Sequence, residues 1–435
     1  MDEQPVPRIL SRQEHPLSCN AIDPDALKIL YRLQTHGFAA YLVGGCVRDL
    51  LLGKIPKDFD VATDAHPQQI RDLFRNSRLI GRRFRLAHIY FKGGKFIEVS
   101  TFRRQSEFDE EGEKAHPQAE NTFGTPAEDA FRRDITINGI FYNIADFSLV
   151  DYVGGLEDLR GGIIRCIDDP EEKFISDPVR MMRVIRHAAR TGFVIEAQTY
   201  HSLLAHVAKL RLCSRARVRD EFLRELREGS ARRSLCLMIE SGMLFILFPP
   251  FLQPLKEAAA REHFLKLAAA LDDLSSLGEA PAEELSLAFF LLPLLGFYCP
   301  FGDFPAGRRG QAIFQQKVRG WVSEILEPLQ FTRHSKEAVV HLLSCQRIFH
   351  EFLPPGRLPF RLLRQSFFPL ARLLFAMDAT ARGEDPNRMN WPTEERTPWR
   401  KKRRRKHRRK KKGPSFPGSG PAESQEGHLE DMDHS

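Results

Sequence analysis

The chain has 435 residues, of which 65 are Lys or Arg and 57 are Asp or Glu, and its formal net charge at pH 7 is +8. This length predicts more than one domain, and seven cysteines without a CxxC spacing exclude a disulfide framework and a thiolate zinc site. The most apolar stretch, residues 285–299, is shorter than the roughly 20 residues of a membrane span, so composition predicts a cytoplasmic protein with no membrane segment.

The N-terminal part of the chain alternates between helix and strand patterns. Residues 1–25 are polar and contain proline, which predicts a loosely ordered lead-in. Asp23 then offers a helix N-cap, Pro24 suits the first helical position and Gly37 suits the end. Further strands are predicted at 38–43, 58–62, 84–92, 95–103, 148–152 and 163–167, with helices at 47–52 and 67–75. The acidic, aperiodic stretch 105–120 predicts a mobile loop.

Beyond residue 171 the pattern is almost entirely helical. The predicted helices are 177–191, 197–210, 216–228, 232–246 and several more up to residue 381. The sequence therefore predicts an α+β fold, in which a small mixed head with a β-sheet and flanking helices precedes a long all-α body.

The end of the chain is basic and lacks the apolar residues of a core. The segment from Arg400 to Lys412 holds 12 Lys or Arg in 13 positions, so the rest of the chain carries a formal charge of −4. This clustering predicts a disordered tail that binds a polyanion; a targeting signal is the alternative. The predicted units are a lead-in at 1–25, a head at 26–165, neck helices at 166–250, a helical body at 251–384 and a tail at 385–435.

A Gly-Gly pair lies between a predicted strand and a predicted helix. Gly44 and Gly45 let backbone N–H groups approach a ligand closely, and a helix N-terminus adds partial positive charge that suits phosphate. A plain tight turn is the alternative interpretation.

Acidic residues follow the Gly-Gly pair. On a strand, Asp58 and Asp60 share one face while Phe59 faces the core. Neighbouring carboxylates repel each other unless a cation lies between them, so the pair is a candidate for two Mg²⁺ ions and a triphosphate; a solvated strand edge is the alternative. Glu98, in an otherwise buried strand pattern, is a candidate third carboxylate that shares the metals or accepts a proton from an attacking hydroxyl. A salt-bridged edge glutamate is the alternative for Glu98.

Four short segments form a pattern that is typical of one enzyme family. They read LVGGCVRD at 42–49, KDFDVAT at 57–63, RRDITIN at 132–138 and DPVRMMR at 177–183. In this order they resemble the class II nucleotidyltransferases, which comprise the tRNA CCA-adding enzymes and the bacterial poly(A) polymerases. One departure is Ser176, which stands where the last motif usually has glutamate.

A fifth segment separates the two activities of that family. The sequence LIGRRFRLAH at 79–88 resembles a block that marks bacterial poly(A) polymerases and that CCA-adding enzymes usually lack. The resemblance implies template-independent addition of adenylates from ATP to single-stranded RNA 3′ ends, with release of pyrophosphate, marking RNA for decay. It also implies an RNA-contacting body, an RNA-tethering tail and possible RNA-decay partners. A CCA-adding enzyme is the nearer alternative, and a non-catalytic RNA-binding protein is the farther one.

The resemblance also implies roles for individual residues. Asp58 and Asp60 would hold two Mg²⁺ ions, Glu98 would support the metal site, and Asp134 would belong to the active centre and accept from ribose hydroxyls. The nucleotide would be bound by Gly44, Gly45, Arg48, Arg132, Arg133, Asp177 and Arg180.

Elementary chemistry also supports the role that the resemblance implies for Asp177 and Arg180. Asp177 and Arg180 are three residues apart on a predicted helix and share a face. A carboxylate can accept from N6 of adenine while a guanidinium donates to N1. An ordinary intrahelical salt bridge is the alternative for this pair, and solvated helix arginines are the alternative for Arg132 and Arg133.

Overall fold

The computed structural model describes residues 6–81, 86–104, 123–278, 280–351 and 360–386. By contacts the chain divides into two units, residues 1–390 and residues 391–435, and the described residues all belong to the first. The loop predicted at 105–120 and the basic segment from Arg400 to Lys412 lie outside the described residues. The predicted unit boundaries within residues 1–390 stay predictions.

The head is built on a mixed sheet, in which the described residues form eight strands. The strands are β1 (Arg8–Leu10), β2 (Ala40–Val43), β3 (Asp60–Thr63), β4 (Ser77–Ile80), β5 (Leu86–Tyr90), β6 (Phe96–Thr101), β7 (Ile140–Asn143) and β8 (Leu149–Asp151). Their order across the sheet is β1-β8-β7-β2-β3-β6-β5-β4. Strands β3 and β6 are parallel, whereas the other neighbouring pairs are antiparallel.

The sequence pattern misses three of these strands: β1, β4 and β7. β1 lies inside the stretch that we predict as a loosely ordered lead-in, yet it pairs with β8 and its Leu10 is buried. That prediction is wrong because β1 is stabilised by pairing with a strand that is distant in sequence, and such pairing leaves little local signal.

The described residues of the head form five α-helices. They are α1 (Pro24–Thr35), α2 (Gly45–Leu51), α3 (Pro67–Leu73), α4 (Pro126–Phe131) and α5 (Gly155–Gly161). The start of α1 confirms the prediction, because the Asp23 side chain accepts a hydrogen bond from the N–H of Asp25 and Pro24 occupies the first turn.

The two faces of the sheet are covered differently. On one face, Val61, Ile97 and Val99 pack in a core that includes Leu30 of α1 and residues of α2 and α3. On the other face, a smaller cluster around the central strands packs against Ala130 of α4. Side chains alternate along each strand, so every second residue of the outer strands faces away from the main core.

The neck and body are helical, which confirms the predicted α+β fold. A short parallel pair, β9 (Ile163–Ile164) and β10 (Val194–Ile195), precedes most of them. The helices are α6 (Pro170–Ser176), α7 (Val179–Thr191), α8 (Ala197–His206), α9 (Arg215–Arg227), α10 (Ala231–Glu240), α11 (Met243–Leu247), α12 (Ala258–Ser276), α13 (Glu283–Tyr298), α14 (Gly307–Leu326), α15 (Arg333–Glu351), α16 (Phe360–Leu363) and α17 (Phe368–Ala381).

Helix boundaries differ from the prediction where the backbone requires it. The single helix predicted at 232–246 is divided into α10 and α11, because Gly242 has a φ of +73° and interrupts the helical backbone. The apolar stretch 285–299 forms α13, and its Phe289 and Phe290 are buried in the body. None of the helices within the described ranges is long and apolar enough to cross a membrane.

Candidate active site

Asp60 is the first residue of β3, and Asp58 lies just before that strand. The strand predicted from residue 58 therefore starts too early, since pairing with β2 begins where Asp60 lies opposite Val43. Asp58 is exposed and Asp60 is partly buried. Burial raises the pKa of Asp60 to about 6; the negative charges of Glu98 and Asp58 also raise it, against the opposing charge of Arg133.

The third predicted carboxylate lies beside Asp60. Glu98 is directly opposite Asp60 in the parallel pair β3–β6 and directly opposite His88 in the antiparallel pair β5–β6. The His88 Nε2 atom is 3.5 Å from Glu98 Oε2. Glu98 therefore fits both interpretations given from the sequence: it has a partner for an ion pair, and it lies next to Asp60.

These carboxylates suit a divalent cation. A carboxyl whose pKa is raised by neighbouring negative charge is stabilised in its ionised form when a cation approaches. Mg²⁺ is commonly held by one or two carboxylates together with water and substrate phosphate oxygens. Within the part of the chain that the structure describes, no three His, Cys, Asp or Glu side chains form a ready-made metal cage. The carboxylates of Asp58 and Asp60 fit an Mg²⁺ ion whose other ligands are water and phosphate oxygens.

The Gly-Gly turn brings basic and acidic groups together. Gly44 follows β2, caps α2 and has a φ of +76°, which favours glycine. A Cβ atom at this position would lie 3.3 Å from Arg133 Nη1 and 3.8 Å from Asp60 Oδ2. Glycine at this position therefore keeps the space between the Arg133 guanidinium and the Asp60 carboxylate open.

Arg132 and Arg133 are fixed by a buried carboxylate rather than solvated. Arg132 Nε donates to Asp129 Oδ1 at 2.9 Å, and Arg133 Nη2 donates to Asp129 Oδ2 at 2.8 Å. Burial would raise the pKa of Asp129, but Arg133 and Arg132 outweigh that effect and hold the pKa below its usual value. Sequence reasoning misses Asp129, although its spacing of three and four residues from the arginines is the signal of a helix-face ion pair.

Asp134 lies between two arginines of the neck. Arg180 Nη1 donates to Asp134 Oδ1 at 2.9 Å, and Arg183 Nη1 donates to Asp134 Oδ2 at 2.7 Å. Burial alone would raise the pKa of Asp134, but Arg183 and Arg180 outweigh it and lower the pKa. Asp134 therefore links the head to α7, and Arg183 is a member of the site that the sequence does not single out.

Asp177 lies between α6 and α7, not on a helix with Arg180 as predicted. Its Oδ1 accepts from the N–H of Val179, and its Oδ2 accepts from Arg217 Nη2 at 2.6 Å. Arg180 Nε remains 4.0 Å from Asp177 Oδ2. The helix begins later because Asp177 precedes Pro178 and has an extended backbone, with φ −140° and ψ 90°. The two side chains nevertheless lie close together.

Arg48 has a different environment from the one predicted. Its side chain is 1% exposed, its Nε donates to Asp49 Oδ1 at 2.9 Å, and its Nη1 donates to Asn138 Oδ1 at 2.7 Å. Asp49 also accepts from Arg190 Nη2 at 2.8 Å. Arg48 thus joins α2 to α7 through a buried network, and its contact with phosphate stays a prediction.

Comparison with known proteins gives matches over the head and the neck. A family described as the poly A polymerase head domain matches residues 40–165, and one described as the probable RNA and SrmB-binding site of polymerase A matches residues 192–254. Poly(A) polymerase I of Escherichia coli O6:H1 is 45% identical over 253 residues, which are 57% of this chain and 54% of that protein. A CCA-adding enzyme from a Geobacillus species is 37% identical over 224 residues, 52% of this chain and 54% of that protein. The chain thus spans about half the length of the curated relatives that it matches.

The fold is similar to solved structures over a longer range. One of them is the crystal structure of the Bacillus stearothermophilus CCA-adding enzyme in complex with CTP. The similarity covers 83% of this chain and 82% of that chain, with a TM-score of 0.58 and 26% sequence identity. This coverage reaches beyond the two matched regions into the helical body. Motifs, head geometry and these likenesses together place the chain in the class II nucleotidyltransferase family.

Proposed function

We propose that this chain is a template-independent RNA nucleotidyltransferase that adds adenylates from ATP to RNA 3′ ends and releases pyrophosphate. The observation that carries the proposal is the position of Asp60 beside Glu98 on one side and Arg133 on the other, across the Gly44 turn. Paired carboxylates next to a fixed guanidinium are the groups that phosphoryl transfer requires. The greater identity to poly(A) polymerase I than to the CCA-adding enzyme supports adenylate addition.

The head residues would divide the chemistry among them. Asp58 and Asp60 would hold two Mg²⁺ ions, which when bound activate the RNA 3′-hydroxyl and neutralise the leaving pyrophosphate. Arg133, whose guanidinium Asp129 fixes, would bind the triphosphate without losing side-chain freedom at that moment. Glu98 would support the metal site or accept the hydroxyl proton. No covalent intermediate with the protein is required.

The neck would select the base. Asp177 would accept from N6 of adenine, and Arg180 would donate to N1. Asp134 holds the Arg180 guanidinium on its Nη1 side, so it would position Arg180 as well as accept from the ribose hydroxyls. Arg180 Nε is buried, makes no hydrogen bond among the described residues and lies 4.0 Å from Asp177 Oδ2, so the Nη atoms would have to supply the donor to N1.

The RNA would contact the neck, the body and the tail. The match of residues 192–254 to a probable RNA-binding region supports the neck contact. The body, at 251–384, is proposed by resemblance only, as are RNA-decay proteins as partners. The seven cysteines are free thiols, which suits the reducing cytoplasm that we propose as the location.

The first test is nucleotide choice on a generic RNA. With Mg²⁺ and each nucleoside triphosphate supplied separately, we expect long ladders with ATP and little extension with the other three. A site that pairs polar groups with one base rejects bases that leave those groups unpaired. Because a solved CCA-adding enzyme covers most of the chain, CCA addition is the second candidate; it requires CTP and then ATP, on tRNA ends alone.

Removal of the basic segment should weaken RNA binding and leave the chemistry intact. Each phosphate of single-stranded RNA that is neutralised adds roughly 0.7 to the slope of log affinity against log salt. If half of the 12 cations at 400–412 engage RNA, a chain ending at Pro398 should show a slope flatter by about 4. Single-turnover adenylate addition at saturating RNA should be unchanged.

The matched control for this truncation is a chain that ends at Lys412 and keeps the basic segment. It should retain the full-length salt slope. An unchanged slope in the chain that ends at Pro398 would show that the basic segment does not bind RNA, as expected of a targeting signal.

A further inference from the structure

Four side chains form a row that leads from the proposed active site to the edge of the sheet. Asp60 lies opposite Glu98, Glu98 opposite His88, and His88 opposite Arg78. Residues paired across strands point to the same face. Neighbouring strands are about 4.8 Å apart, so the row is about 14 Å long from Asp60 on β3 to Arg78 on β4.

Two aromatic rings lie beside this row. Phe96 precedes Glu98 by two positions on β6 and lies opposite Tyr90 on β5, so both rings share the face of Glu98. The His88 ring stacks on Phe96 with centroids 4.3 Å apart and planes 15° apart, and the Tyr90 and Phe96 centroids are 6.0 Å apart. The Arg78 guanidinium lies over the Tyr90 ring at 5.7 Å. The aromatic groups thus form one continuous surface.

This surface is open, in contrast to the opposite face. Phe96 is 49% exposed, whereas Ile97 and Val99, which alternate with it along β6, are buried in the main core. The smaller cluster under α4 covers the central strands, and its members do not include residues of β4, β5 or β6. A half-exposed phenylalanine that adjoins a catalytic carboxylate is therefore placed to contact a substrate.

We propose that this strip, formed by Arg78, His88, Tyr90 and Phe96, holds the 3′-terminal nucleotides of single-stranded RNA. This inference rests on the proposed function and names the place where its RNA substrate enters. Phe96 and Tyr90 stack on bases, and Arg78 contacts the backbone phosphate. RNA is the occupant because the strip is continuous with Glu98 and Asp60, where the 3′-hydroxyl must react, and because its outer end carries positive charge.

Stacking also explains the lack of sequence preference that tail addition to varied RNAs requires. Every base has an aromatic face, so an aromatic platform binds single strands with little regard to sequence. Sheets that bind RNA use exposed strand aromatics in this way. The segment 79–88, which resembles a block that marks bacterial poly(A) polymerases, includes His88 and the described residues 79–80 of β4 and 86–88 of β5. The strip thus assigns a role to that segment.

The test is binding of labelled single-stranded oligoadenylate, without ATP, to the full chain and to Phe96→Ala. Loss of one base–aromatic contact should weaken binding about 5- to 150-fold, and Phe96→Trp should restore it. Tyr31→Ala is the matched control, because Tyr31 is an aromatic residue on α1, is 42% exposed and lies on the helix that packs against the other face; its binding should equal wild type. In the addition assay, Phe96→Ala should raise the KM for RNA and leave the KM for ATP unchanged.

A second probe separates stacking from a general structural effect. An oligonucleotide whose terminal positions lack bases should bind wild type and Phe96→Ala equally. If Phe96→Ala weakens the binding of both oligonucleotides equally, or of neither, the proposal that the strip binds RNA is wrong. If wild type binds RNA through Phe96 but adds no nucleotide, the proposed function is wrong and RNA binding by the strip is still supported. If wild type adds adenylate and Phe96→Ala binds RNA normally, the strip alone fails.

Discussion

The Asp60→Asn variant should lose adenylate addition by about 10³-fold without losing stability. An amide of the same shape carries no negative charge, so it cannot hold a cation or balance charge at the transferred phosphate. In the folded protein, burial and the charges of Glu98 and Asp58 raise the pKa of Asp60 to about 6. At pH 7 the ionised carboxylate therefore destabilises the fold relative to the unfolded chain, and its neutral replacement should leave the free energy of unfolding unchanged or higher.

Three measurements on purified protein check this expectation: single-turnover addition, RNA affinity and thermal unfolding. Asp72→Asn is the matched control, since Asp72 is an exposed aspartate of α3 in the same head, and it should behave as wild type. The Asp58→Asn/Asp60→Asn double variant should bind RNA normally and add no nucleotide. If the double variant kept wild-type addition, the carboxylates would not be the catalytic pair. If wild type itself added nothing while binding RNA, the non-catalytic alternative would hold.

The Asp177→Ala variant should lose much of its discrimination between ATP and UTP, because uracil has an acceptor, O4, where adenine has its N6 donor. Asp177 is held by Arg217 and lies near Arg180, and in the proposed function its removal would leave the adenine N6 donor without an acceptor. A buried donor that loses its partner costs about 1–3 kcal/mol, which corresponds to a 5- to 150-fold fall in kcat/KM for ATP. Asp177→Asn keeps an acceptor oxygen and should lose less.

The ratio of kcat/KM for ATP to kcat/KM for UTP separates base selection from a structural effect. Asp177 also accepts a hydrogen bond from the N–H of Val179, the first residue of α7, so a purely structural loss would lower kcat/KM for ATP and for UTP by the same factor. Base selection should lower the value for ATP alone. An unchanged ATP-to-UTP ratio of kcat/KM in Asp177→Ala would show that the base is read elsewhere.

Local signals in the sequence were enough to predict the elements whose ends are set by neighbouring residues. The cap at Asp23, the apolar face of α1 and the turn at Gly44 follow from residue type and spacing within one element. Strand alternation places Phe96 and Glu98 on one face of β6. It does not give the register, so the pairing of Asp60 with Glu98 is known only from the structure.

Partners that are distant in sequence could not be predicted for the same reason. The resemblance places Asp177 and Arg180 in one motif, but the main carboxylate partner of Arg180 is Asp134, 46 residues earlier. Arg48 precedes a buried acid, Asp49, and the packing of α2 against neighbouring segments turns it inward. A long arginine side chain can reach several acids, and only tertiary packing decides which one it meets.

The most direct measurement is the sequence of the nucleotides that wild type adds when it has a free choice. The chain would receive Mg²⁺, all four nucleoside triphosphates, and an equimolar mixture of a generic RNA and a tRNA that lacks its 3′-terminal CCA. Sequencing of the products should find long runs of adenylate on the generic RNA. Products confined to the tRNA, with two cytidylates followed by one adenylate and no further growth, would contradict polyadenylation and establish CCA addition.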